Sequence, residues 1–365
     1  MNRDDCLKRF DEFVHFLTPM DRVGVMVHCD ADGLMSGVIA SHALKALRGK
    51  PADVFFCSGY PAREVLQKKI DFLREKRVSK VLVLDLSLDQ DDFLINGLES
   101  FAEVLFIDHH KVYNDLNSKK TVFIKANWIL PGMDSSRYPA SKMVFDLFSR
   151  HCDLPQSAWL ACVGVFADCA VEQWREFFDA ETKKIRSSLE EIKACAKVID
   201  AVGIIDFSKF NELYETFLKA AGPKDILKSE FFKLSQDLDS EMNYWLSEFE
   251  KKAELIPELE LVWFVYTPRF PIKSPFINKI SFDLYPDKTV VLVQLMDGAP
   301  TANFSARRQD GKMRVNDLLE ASVIGISGGS AGGHAPAAAG KVPKGELEVF
   351  KKNLILELQK QYLKK

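Results

Sequence analysis

The chain has 365 residues, 47% of them hydrophobic and 28% charged, with a formal net charge of −3. That length makes two domains the natural expectation, and the balance is that of an ordinary globular protein. The charge excludes a broad basic coat for nucleic acid, though not a local basic groove, and no apolar run approaches the length of a membrane span.

The first residues, MNRDDCLKRFDEF, are polar and acidic, unlike a signal peptide. Val23–His28 is a short apolar run that predicts a strand, with helical periodicity following over residues 34–47. Strand-like runs recur at 54–57, 80–86, 103–108 and 121–124, with helical patterns at 62–74, 91–98, 141–149 and 158–170. Continuous apolar strands alternating with amphipathic helices predict an α/β fold, a parallel sheet covered on both faces. Residues 172–255 are charged and helical in period, which predicts a helical connector. Strand patterns then return at 261–267, 279–285, 288–296 and 301–308, followed by a short helix at 315–321. A glycine-rich loop over 328–334, a strand at 338–342 and a helix at 345–362 close the chain. The expected division is 1–171, 172–255 and a smaller mixed α/β domain at 256–365.

Seven cysteines are scattered with no C-x-x-C pair. Buried free thiols in a reducing, cytoplasmic setting are the expectation, with neither a disulfide framework nor a zinc site.

The chemistry sits where apolar runs end. Asp108-His109-His110 closes Val104–Ile107, at the position where open α/β sheets hold their ligands. His28, Asp30 and Asp32 follow the first strand at alternate positions, so an extended backbone would point them one way. Gly33 then allows a sharp turn, and Asp32 alone would serve as an ordinary helix cap. Asp85 ends a third apolar run; a carboxylate there suits a metal site and a helix cap about equally. Asp168 ends an apolar helix, where it opposes the helix dipole and calls for a cation or a salt bridge. So many carboxylates cannot share a buried pocket unneutralised. Oxygen ligands mixed with imidazole suit Mn²⁺ better than Zn²⁺. Two divalent ions about 3.5–4 Å apart are the usual arrangement for phosphate-ester hydrolysis. Gly332, Gly333 and His334, with Arg307, are candidates to hold a phosphate, against the plainer reading of a tight turn.

In this order the motifs resemble those of the DHH phosphoesterase superfamily. His28-x-Asp30-x-Asp32-Gly33 resembles its first motif, Asp85 its second, Asp108-His109-His110 its third and Asp168 its fourth. Arg307 and the run Gly332–Ala338 resemble the signature of the associated C-terminal substrate-binding domain. The resemblance implies two Mn²⁺ or Mg²⁺ ions in a cleft facing that domain. His28 and Asp30 would hold one ion, Asp32, His109 and Asp168 the other, and Asp85 would bridge them. His110 would contact the phosphate or a water, and Asp108 would orient the histidines. Arg307 and His334 would grip a substrate phosphate. The family's glycine motif ends Ala-Ala-Gly, whereas here Ala337-Ala338-Ala339 precedes Gly340.

The compact H-x-D-x-D-G form resembles archaeal RecJ-like nucleases, which implies a metal-dependent exonuclease on single-stranded DNA or short RNA. An oligoribonuclease (nano-RNase) or cyclic-dinucleotide phosphodiesterase is the alternative within the superfamily, although these and family II pyrophosphatases tend to have a longer first motif. A non-catalytic replication or repair scaffold is the rival of a different class, and other replication or repair proteins are the expected partners. Phe304 and Tyr60 are candidates for base stacking, although with 27 phenylalanines an aromatic is more often core.

Overall fold

The computed structural model describes residues 2–59 and 62–363. They form two compact units, Met1–Ser235 and Gln236–Lys365.

The first unit is built on five parallel strands: β1 (Val23–His28), β2 (Val54–Ser58), β3 (Lys80–Leu84), β4 (Glu103–Asp108) and β5 (Thr121–Lys125), in the order β2-β1-β3-β4-β5. Alternate strand residues enter two separate cores, as a pleat buried on both faces requires. Val25, Val27, Leu82, Leu105 and Ile107 pack under the helices Ala31–Arg48, Ala140–Phe148 and Ala158–Ala167. Met26, Val81, Val83, Val104 and Phe106 pack under Arg63–Glu75 and Phe93–Glu99. The strand order reverses between β1 and β3, the switch point at which such sheets open a crevice beyond their carboxyl ends. β1, β3 and β4 all end at that edge.

An N-terminal helix, Arg3–His15, anchors Phe10 and Phe13 in the first core; the sequence pattern alone assigns this segment no element. The expected connector is divided. Its helix Leu189–Ile205 begins with a capping box between Ser188 and Glu191 and buries Ile192, Cys195, Val198 and Val202 in the first core. Its long helix Glu230–Lys252 spans the boundary between the units.

The second unit holds β6 (Glu254–Ile256), β7 (Leu261–Tyr266), β8 (Thr289–Leu295), β9 (Thr301–Arg307), β10 (Ser330–His334) and β11 (Ala337–Pro343), ordered β10-β11-β9-β8-β7-β6. Only β7 and β8 pair in parallel. One face is covered by the helices Val315–Ser322 and Leu347–Leu363, around Trp263, Phe304 and Phe350. Phe304 is wholly buried, its ring stacked 4.1 Å from Phe350, so it is a core residue and not a base platform. Tyr60 lies outside the described residues.

Two expectations fail here. Residues 279–285 are not a strand: the helix Lys273–Lys279 runs on into a wide turn, Ile280–Leu284, closed by Tyr285 N–H onto the Ile280 carbonyl at 2.9 Å. The alternation of Ile280, Phe282 and Leu284 mimics a strand, but of the three only Ile280 is buried. The glycine-rich segment is not simply a loop either, because Ser330–His334 pairs as the edge strand β10. Among the described residues, no helix is long and apolar enough to cross a membrane.

Candidate metal centre

The first motif does not use strand alternation. β1 stops at His28, and Asp30 caps the next helix, its Oδ1 accepting the Gly33 N–H at 2.9 Å. Its Oδ2 lies 2.6 Å from His28 Nδ1. Gly33 must be glycine because a Cβ there would collide with the His28 carbonyl. Asp32 already lies in the first helical turn. It does not cap its own helix but receives the start of another: Ala140 N–H donates to Oδ2 at 2.6 Å, and Ser141 donates its N–H at 3.0 Å and its hydroxyl at 2.5 Å to Oδ1. Strand end and helix start thus bring the three side chains together by a turn.

Asp85 follows β3 with φ of +59°, left-handed backbone that a non-glycine residue adopts at a cost of about 1–2 kcal/mol. Its N–H is held by the Ile107 carbonyl at 3.0 Å, and it is 1% exposed. Asp85 Oδ1 lies 3.3 Å from His109 Nε2 and 3.8 Å from His110 Nδ1. His109 Nε2 is also 3.4 Å from Asp168 Oδ2, at the end of the helix Ala158–Ala167. His110 Nδ1 donates to Asp108 Oδ1 at 2.7 Å, which leaves Nε2 as the ring's remaining polar atom.

Asp108 is fully buried and ion-paired to Lys125, the last residue of β5 and its register partner. The same ammonium lies 3.4 Å from Asp89 Oδ1 and 3.3 Å from the Lys111 carbonyl. The Asp89 side chain accepts the Tyr113 N–H at 2.8 Å. Lys125 and Asp89 are absent from the sequence-derived candidates. For Lys125 the available signal is a charged residue closing an apolar run, the same one that singles out Asp85; Asp89 lies in the loop after Asp85 and carries no such signal.

Electrostatically the cluster is frustrated without cations. Burial, then the charges of Asp32, Asp30, Asp108 and Asp168, push the Asp85 carboxyl well above its ordinary range. Burial and the charges of Asp32 and Asp30 push Asp168 up to about 9. Asp32 is raised chiefly by burial. Asp30 goes the other way: burial opposes its ionisation, but the His28 and Gly33 hydrogen bonds outweigh it.

Three sets of ligand atoms lie within 4.8 Å of one another: His28, Asp30 and Asp85; Asp32, His109 and Asp168; and Asp85, His109 and His110. Asp85 and His109 are each shared by two sets. Asp85 Oδ1, Asp168 Oδ2 and His109 Nδ1 are buried without a hydrogen-bond partner among the described residues. Buried polar atoms of this kind are costly, so the donor set fits hard or borderline divalent ions.

Three of the C-terminal candidates, Arg307, Gly332 and His334, share one face of the second sheet, and Gly333 lies on the other. In the pairing register, Arg307 opposes Ala337, which opposes His334. The next row is Ser305, Ala339 and Gly332. Arg307 and His334 thus flank a floor of small residues, about 10 Å apart at two strand spacings. Gly333 has φ of +147°, and a Cβ there would meet the backbone of Ala338 at 2.6 Å. Gly340 faces the other side, where a Cβ would strike the Phe304 ring and the Ser330 carbonyl. The displaced glycine is therefore needed for packing, while Ala339 adds a methyl to the floor.

Neither a family model nor a curated protein sequence matches the chain. Solved structures do. Exonuclease RecJ bound to manganese matches with a TM-score of 0.68 and 18% identity, over 98% of this chain and 94% of the RecJ chain. RecJ from Thermus thermophilus in complex with Mn²⁺ matches with 0.64 and 18%, over 98% of this chain and 54% of that one. This chain thus spans about half its length. The same RecJ is also known with Mg²⁺. The DHH domain of a protein assigned to a family of ribosomal proteins matches with 0.61 and 16%, over 95% of this chain and 88% of that one. The chain therefore has the fold that these RecJ and DHH-domain structures share.

Proposed function

We propose that the chain is a metal-dependent phosphodiesterase, an exonuclease that releases mononucleotides from single-stranded DNA or short RNA. The observation that carries this reading is the overlap of three ligand sets at one sheet edge, joined through Asp85 and His109. His28, Asp30 and Asp85 would hold one divalent ion, and Asp32, His109, Asp168 and Asp85 a second, Mn²⁺ in preference to Mg²⁺. Such ions supply a water ionised at neutral pH and positive charge for the phosphoryl transition state. His110, held by Asp108 through Nδ1, would contact a phosphate oxygen or the attacking water through Nε2. Arg307, His334 and the backbone of Gly332 and Gly333 would bind a substrate phosphate.

The manganese and magnesium complexes of RecJ support divalent-ion dependence, and retention of the whole ligand set argues against a scaffold, for which so costly a charge cluster has no use. The test is incubation with Mn²⁺ and end-labelled single-stranded DNA, RNA oligomers, cyclic di-AMP or pyrophosphate, with Asp85→Ala as control. Mn²⁺-dependent mononucleotide release from DNA or RNA is expected, and lost in the variant. No product from any substrate defeats the enzyme reading. Cleavage of only the cyclic dinucleotide or pyrophosphate defeats the exonuclease reading.

A further inference from the structure

Arg307 is not alone on its sheet face. Lys273, at the start of the helix Lys273–Lys279, is half-buried beside it, with Nζ 3.4 Å from the Phe304 carbonyl. Arg307 contacts the carbonyls of Ala306 at 3.0 Å and Ala338 at 3.4 Å, and its Nε meets Asn278 Oδ1 at 3.3 Å. Among the described residues, neither cation has a carboxylate partner. The next residue along, Arg308, is by contrast buried and paired with both Glu260 and Asp310. Burial and the Arg307 charge hold the Lys273 ammonium below its ordinary range. Two partly desolvated like charges without a counterion are unfavourable, and an anion seated between them removes the penalty. One turn beyond Asn278, on the same exposed helical face, Phe282 projects with 60% of its surface in solvent. It sits in the wide Ile280–Leu284 turn, a departure from α-helical geometry often found at functional sites.

We propose that Lys273 and Arg307 together grip one phosphate of a nucleic-acid strand, and that Phe282 carries the adjoining base. This rests on the nuclease reading and adds residues it does not use. Two cations match the dianion of a phosphomonoester end better than the single charge of an internal diester, so a phosphorylated end binds best. Stacking on Phe282 is indifferent to base identity, because every base offers a π face.

The experiment is fluorescence anisotropy on the full chain in EDTA, with a short single-stranded oligonucleotide carrying a terminal phosphate and its dye at the other end. Lys273→Met should lower affinity about tenfold and reduce the slope of log K against log salt by about 0.7, one cation's share on a single strand. Lys273→Arg should retain both. Phe282→Ala should lower affinity about tenfold for every base sequence and leave the salt slope unchanged. Removing the terminal phosphate should weaken the wild type and leave Lys273→Met nearly unaffected. Wild-type affinity in Lys273→Met and Phe282→Ala overturns the subsite, as does a loss in Lys273→Met that Lys273→Arg reproduces. Mn²⁺-dependent hydrolysis of bis(p-nitrophenyl) phosphate, a diester too small to span the subsite, judges the metal reading separately.

Discussion

Gly164 faces Asp32 so closely that a methyl group at Gly164 would land on the Asp32 carboxylate and on the Ser141 hydroxyl bonded to it. The glycine lets the helix Ala158–Ala167 pass against an acid that is simultaneously a candidate ligand and the anchor of the helix Ala140–Phe148. Gly164→Ala should therefore move Asp32. The expected result is a destabilisation of about 1–3 kcal/mol, typical of core overpacking, and Mn²⁺ affinity lowered by about tenfold or more, typical of a disturbed ligand shell. Calorimetric titration with Mn²⁺ and a denaturant melt read the two effects. Unchanged Mn²⁺ affinity would remove Asp32 from the ligand set.

Asp85 combines left-handed backbone with a carboxyl that burial and its neighbours keep from ionising. Asparagine resembles the protonated acid and tolerates φ > 0, so Asp85→Asn should match or exceed the wild type in metal-free stability, by up to about 4 °C in Tm. Alanine loses that tolerance and should fall about 1 kcal/mol below asparagine. Both should abolish Mn²⁺-dependent turnover. A metal-free protein markedly destabilised by asparagine would show that Asp85 has a structural role this geometry lacks.

The same frustration fixes a pH dependence. An unfolded Asp titrates at about 3.9, whereas burial and the charges of Asp32 and Asp30 push Asp168 up to about 9 in the folded chain. Between these values the folded state binds more protons than the unfolded state. Its contribution to metal-free stability is complete below about pH 4 and declines as pH rises toward 9. An ion must displace that proton, so its affinity moves the opposite way. Melts in EDTA and in Mn²⁺ at pH 6 and 8.5 should show the increment from Mn²⁺ growing with pH. An increment that shrinks would mean that the ligands are already ionised without metal.

How much of this was readable in sequence follows from range. His28, Asp85, Asp108 and Asp168 each end an apolar run, with Asp30 two residues beyond the first, and a polar or charged residue ending a buried element is visible one segment at a time. The alternation of strands and helices implied a parallel sheet, but the strand order that sets the switch point between β1 and β3 and collects those ends is tertiary. Lys125 acts through register with Asp108 across β4 and β5, and pairing of that kind has no local signature. Residues 279–285 misled because Phe282 and Leu284 are apolar yet exposed, so hydrophobicity stopped tracking burial where the chain departs from regular helix. Asp32 resembles a cap for its own helix, and only tertiary structure reveals that it receives Ala140 and Ser141.

Lys125 provides the sharpest test of the arrangement beneath the histidines. Its ammonium is the cation paired with both Asp108 and Asp89, and it accompanies the Asp108–His110 hydrogen bond. Lys125→Met should cost about 3–5 kcal/mol, because it leaves buried acid without its partner. Its effect on turnover should pass through His110. If so, Lys125→Met and His110→Ala will not combine: the double variant should be no slower than the slower single one, a coupling that generalised loosening would not produce. Should Lys125→Met prove too unstable to assay, Asp108→Asn offers the same cycle and leaves the Lys125 ammonium its Asp89 partner. Multiplicative losses in both cycles would place Lys125 and Asp108 outside the catalytic chain and leave them as fold determinants only.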